Sequence, residues 1–155
     1  MGSIAGRDLF CNKIRRKIMK ANELMIGDWV FVNDVEHLRP MQVGEIKRKS
    51  GKHYACLYDP NDVSEHCECV VDKVKGIRVV GTVLKKNLFK FNPCDSSWVC
   101  EVNNNEIYIT ETLNGARASI DVHGCNTSIF NFPVKYLHEL QHLCAMCNIN
   151  IDWKA

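Results

Sequence analysis

The sequence predicts an α+β fold: a small curled β-sheet, a short helix, then an antiparallel β-meander packed by a C-terminal helix. Three observations carry this. Short runs of alternating apolar and polar residues occur in both halves, divided by Gly, Asn and Asp punctuation. A run of helical period, "VKYLHELQHLCAMC", stands near the C-terminus. Composition is globular, with 46% hydrophobic and 25% charged residues over 155 positions, enough for one domain with a core or two small lobes sharing one.

Taken in order, "IGDWVFV" is a strand after a Gly-Asp turn, with Trp29 and Phe31 on one face and Val30 and Val32 on the other. "MQVGEIKRK" and "HYACLYD" continue as strands about the turn Ser50-Gly51, with Cys56 expected to be a small buried thiol. Together they predict an SH3-like barrel or half-barrel. "PNDVSEHCE" reads as a loop, and "CVVDKVKGIRVV" as one or two strands around Gly76. In "TVLKKNLFKF" the apolar residues Val83, Leu84, Leu88 and Phe91 predict a short helix capped by Thr82 and ending near Phe89.

The second half predicts the strands "SWVCEV", "EIYITETL" and "RASIDVHG", joined at Asn103-Asn104-Asn105 and at Asn114-Gly115. Ile107, Ile109 and Leu113 share one face, matched by Ile120 and Val122. Pro133 is expected in the first turn of the closing helix, about Val134 to Cys147, with "INIDW" as a terminal strand. Residues 19–155 thus read as a single domain, with a β lobe over 19–80 and the helix, meander and closing helix over 81–155.

Charge divides unevenly. Residues 1–20 hold six of the 20 Lys and Arg residues against Asp8 alone, leaving 14 basic and 17 acidic side chains in the remainder. Met19 opens "MKANELMIGDWV" and reads as a start in its own right, so residues 1–18 are expected to be a flexible or non-native leader. No apolar stretch approaches the roughly 20 residues of a membrane helix, and the opening has no secretory apolar region. The expected compartment is the cytoplasm, where nine cysteines would be reduced thiols.

"MKANELMIGDWVFV", "GIRVVGTVLKKNLFKF" and "VKYLHELQHLCAMCNI" together resemble a family of small hypothetical proteins widespread in gut Bacteroidetes genomes, often among prophage or mobile-element genes. The resemblance spans residues 19–152 and implies no chemistry that can be placed on particular side chains. Related closing helices read Tyr-x-His-Gln-Leu-Gln-Asn as readily as Tyr-x-His-Glu-Leu-Gln-His. The segment 82–91 also departs from the family's Pro-rich approach to its helix.

His138-Glu139-Leu140-Gln141-His142 fits the HExxH pattern, in which two histidines bind zinc and the Glu acts as base. At about 100° per residue, His138 and His142 fall about 40° apart, with Leu137, Leu140, Leu143, Cys144 and Cys147 across the wheel. The two histidines are therefore expected on a solvated face, and the Cys-x-x-Cys in the core. A third zinc ligand is not specified: Asn148 stands at the metzincin position, and Asp121, His123, Cys125, His66, Cys67 and Cys69 are candidates without diagnostic spacing. "KRKSGK" is a basic hairpin tip without interleaved aromatics.

The expected function is a non-catalytic accessory or protein-interaction module, without a cofactor. It would be of prophage or mobile-element derivation, with a protein partner and a homo-oligomer compatible. One alternative is a zinc-dependent hydrolase with Glu139 as base and His138 and His142 as ligands. A further one is a nucleic-acid-binding β-barrel using Arg15, Arg16, Lys47, Arg48 and Lys49.

Overall fold

The computed structural model describes residues 19–32, 39–123 and 128–155. The described residues divide into two compact units, with the boundary between Lys75 and Gly76.

The first unit carries strands β1 (Trp29–Val32), β2 (Pro40–Lys49), β3 (Lys52–Asp59), β4 (Asp62–Val70) and β5 (Val74–Gly76), the last residue of which, Gly76, begins the second unit. Their order is β4-β3-β2-β1-β5, an open sheet with β4 and β5 at opposite edges. This corrects the expected SH3-like barrel: the sheet does not close. It also corrects the loop reading of "PNDVSEHCE", most of which is β4. Cys67 and Cys69 turn inward opposite Leu57 and Ala55, while Glu68 faces outward opposite Cys56. Thiols on the inner face and polar residues outside give a strand that conventional apolar alternation hides.

Apolar positions Met41, Val43 and Ile46 break the period of two. The ladder restores it with a register shift between Val43 and Glu45, so that Val43 opposes Leu57 and Ile46 opposes Ala55. Gly44 sits in this bulge, where a Cβ would lie 3.1 Å from Cδ1 of Tyr58. Ser50 and Gly51 both adopt positive φ at the β2–β3 turn, the conformation of a two-residue hairpin. The core comprises Met19, Leu24, Val30, Val32, Met41, Val43, Ala55, Leu57, Val71 and Val74. Cys56, expected to be buried, lies instead on the outer face, its Sγ 3.7 Å from Oε2 of Glu68. It is Ala55 and Leu57 that point inward.

The second unit holds helix α1 (Gly81–Lys86), strands β6 (Lys90–Asn92), β7 (Ser97–Val102), β8 (Asn105–Thr112), β9 (Gly115–Asp121) and β10 (Ser128–Val134), and helix α2 (Leu137–Met146). The sheet order β10-β9-β8-β7-β6 is an antiparallel meander. Ile107, Ile109, Ala118 and Ile120 meet Leu140, Leu143 and Cys144 in one core cluster, with Val122 packed at its border. The closing helix therefore covers the sheet face that the alternation selected.

Several boundaries differ from expectation. Val80, not Thr82, is the N-cap of α1, and the helix ends at Lys86 because Leu88 turns left-handed. Phe89 N then donates to Leu84 O at 3.1 Å, closing a Schellman motif. This throws Leu88 outward at 79% exposure and leaves Phe91 half exposed. The β8–β9 turn is Leu113-Asn114, since Gly115 already pairs with Thr112. Leu113 consequently stands wholly in solvent at the hairpin tip rather than beside Ile109. Pro133 belongs to β10 and not to a helix; on this edge strand its missing N–H costs no ladder bond. The segment 149–153 forms no strand, although Ile149 is buried.

Candidate functional site

The residues Ile77–Val79 lie antiparallel to 135–137, with Val79 N donating to Lys135 O at 3.0 Å and Leu137 N to Ile77 O at 2.7 Å. This places Tyr136 against Gly76, where an added Cβ would sit 2.5 Å from the ring, so only glycine fits. From Tyr136 an aromatic ladder runs along the start of α2. Lys135 Nζ stands 5.5 Å over the tyrosine ring, and His138 stacks on it at 5.7 Å with planes 12° apart. His142 meets His138 edge-on at 5.7 Å.

The two histidines are thus not both solvated, as the helical wheel has them: His138 is buried at 3% exposure and His142 is half-buried. The wheel assigns one buried face, toward the sheet. Tyr136, just outside the helix, folds along it and covers a second. Glu139 is also engaged, its Oε2 accepting from Lys135 N at 3.2 Å. It reaches back from the third helical position to the backbone N–H of the residue before the N-cap Tyr136, one position beyond the reach of a capping box, and tethers the chain entering the helix.

No group of three or more His, Cys, Asp and Glu side chains placed to hold a metal occurs among the described residues. Of the candidate third ligands, Cys125 lies outside those residues. Asp121 accepts from Ser128 Oγ at 3.3 Å, and His123 donates its backbone N–H to Asn105 Oδ1 at 2.9 Å. Cys67 and Cys69 pack on the first unit's core, where exposed His66 opposes Tyr58. Cys144 is fully buried in the second unit's core and Cys147 packs beside it, in agreement with the wheel. Burial, with Cys147 and Cys100 nearby, pushes the Cys144 thiol up to about 12. That thiol is not poised as a nucleophile or ligand.

The basic hairpin is locally neutralised. Lys47 pairs with Glu45 at 3.5 Å and Lys49 with Glu68 at 2.9 Å, and this pairing raises the Lys49 pKa and lowers that of Glu68. Strand alternation puts Arg48, opposite His53, on the other face from Lys47 and Lys49. Cross-strand pairing does bring an aromatic to them: Tyr54 opposes Lys47, and Lys49 Nζ lies 6.0 Å over its ring. Arg15 and Arg16 lie outside the described residues.

A different feature stands out on β10. The register with β9 shifts between Ile129 and Phe132, and Asn131 adopts a left-handed φ of 57° in the bulge. Side chains of β9 pin it: Ser119 Oγ accepts from Asn131 N, and Arg117 donates to Asn131 O, both at 3.0 Å. Phe130 is presented outward at 84% exposure, and Phe132 is half exposed. Beside the end of this strand, Arg78, Val79, Val80, Glu111, Leu113 and Lys135 line most of a groove of about 110 Å³. Sequence reasoning missed both features. The signal was present in "SIFNFPV", two phenylalanines spaced by two before a proline, which is an edge-strand pattern.

No described helix is long and apolar enough to cross a membrane. Comparison with protein-family models, with curated proteins and with solved structures returned no match.

Proposed function

We propose that the protein is a non-catalytic interaction module that recognises a partner protein through the β10 edge of its second sheet. The observation that carries this reading is Phe130, held outward on a bulge whose backbone is fixed from β9. Bulges re-aim side chains, and a large exposed aromatic on a rigid element is the form an interface anchor takes. Burying each phenyl ring would contribute about 1.5–3 kcal/mol. Against association costs of about 4–15 kcal/mol, the edge needs further contacts from its partner. Engagement of Glu139 with the backbone N–H of Lys135 supports a structural role for the HELQH segment over the hydrolase alternative. The ion pairs on Lys47 and Lys49 weigh against nucleic acid as the partner.

The test is photo-crosslinking in the native host, with benzoylphenylalanine replacing Phe130 in one strain and exposed Lys52 in another. A discrete adduct from position 130 alone is expected. An adduct of twice the chain's mass would identify a second copy as the partner. Equal labelling at both positions, or none, would contradict the reading.

A further inference from the structure

The groove beside β10 has a chemistry of its own. Val80 and Leu113, exposed at 42% and 100%, offer apolar surface, and Arg78 and Lys135 contribute two cations against the single carboxylate of Glu111. Its volume of about 110 Å³ is well below the roughly 300 Å³ at which small-molecule sites begin. It has room for a small group rather than a whole small-molecule ligand. A ligand that used both features would carry an apolar side chain and a negative charge within a short span. The C-terminal residue of a polypeptide does this, since its α-carboxylate and side chain share one Cα.

We propose that this groove captures the C-terminal residue of a partner chain, an aliphatic side chain resting on Val80 and Leu113 and the terminal carboxylate facing Arg78 and Lys135. Both cationic residues line the groove. Arg78 bridges Tyr136, and the Val79 N–H to Lys135 O bond ties the two segments. Lys135 also has the Tyr136 ring to rest on. Terminal-carboxylate capture is an established mode of peptide recognition. The proposal rests on the interaction-module reading and specifies a partner for it.

The test uses the full chain, isotopically labelled for NMR, titrated with acetyl-Gly-Ser-Gly-Leu bearing a free carboxylate and with its C-terminal amide. A single-residue anchor should bind with a Kd of about 1 mM. Saturable shifts at Val80, Leu113 and Lys135 are expected with the acid, weakened about tenfold or more by amidation. Arg78→Gln and Lys135→Gln should each weaken binding while leaving the remaining spectrum in place. No shift at the groove, equal binding of acid and amide, or indifference to both substitutions would overturn the proposal. If the peptide fails while crosslinking from position 130 still gives its discrete adduct, the groove assignment falls alone. If both fail, the interaction reading falls with it.

Discussion

The side chain of Asn87 bonds both backbone groups of Lys154: Oδ1 accepts from Lys154 N at 2.7 Å, and Nδ2 donates to Lys154 O at 2.7 Å. The same Nδ2 donates to Val83 O at 2.8 Å, and the residue is 2% exposed. A buried amide thus does for the C-terminal segment what a neighbouring strand would do, satisfying its donor and its acceptor together. It ties the C-terminal end of the chain to the end of α1.

Asn87→Ala should therefore destabilise the protein by at least about 2 kcal/mol, since it strips hydrogen bonds from buried backbone groups. Asn87→Asp retains an acceptor for Lys154 N but sets a carboxylate against two carbonyl oxygens, and should be no better. Denaturant midpoints measure both. A loss below about 0.5 kcal/mol, typical of surface sites, would show that the tail is not held through this side chain.

Leu140 is fully buried in the cluster that joins α2 to Ile107, Ile109 and Ile120. Leu140→Ala should cost about 2–5 kcal/mol, the range for truncating a buried leucine. Chemical denaturation at neutral pH checks it.

Leu88 occupies a left-handed position, φ 66°, while its side chain stands 79% exposed. A non-glycine residue there costs about 1–2 kcal/mol, and little packing offsets it. Leu88→Gly should raise stability by about 0.5–1 kcal/mol, the gain being reduced by the greater freedom of glycine in the unfolded chain. A loss on this substitution would mean that the leucine side chain makes a stabilising contact in solution.

The Cys144 thiol, pushed from 9.0 up to about 12 by burial, makes a pH prediction. Its folded pKa lies above its unfolded value, so the unfolded chain releases this proton first as pH rises. The contribution to stability is complete below about pH 9 and is lost progressively toward about pH 12. Urea midpoints measured across that window should fall, and Cys144→Ala should flatten part of the decline. Under native conditions Cys144 should resist alkylation while exposed Cys94 reacts.

Much of the meander was legible because its chemistry is local. Ile107, Ile109 and Ile120 alternate with polar residues, and "SWVCEV" gave β7 its observed bounds. The closing helix followed from period, although it starts at Leu137 rather than Val134, and so did the inward face of buried Cys144 and half-buried Cys147. Three things were hidden for physical reasons. The strand β4 carries thiols inward, which an apolar count overlooks. The bulges at Gly44 and Asn131 shift phase by backbone geometry, and this second shift presents Phe130. The burial of His138 depends on Tyr136 outside the helix and on Gly76, sixty residues away in the chain, which no wheel includes.

On the geometry described above, the HELQH segment builds a helix entrance rather than a zinc site. Metal analysis of purified protein, prepared without added metal, tests it most directly, with Glu139→Gln, Glu139→Ala and His142→Asn alongside. This structural role predicts no stoichiometric metal in any of the four proteins. It also predicts near-silence for Glu139→Gln, whose amide oxygen still accepts from Lys135 N, and a loss of about 0.5–1.5 kcal/mol for Glu139→Ala, the worth of one hydrogen bond. One zinc per chain in the parent protein, absent from His142→Asn and retained by Glu139→Gln, is the pattern of a catalytic HExxH site and would contradict it.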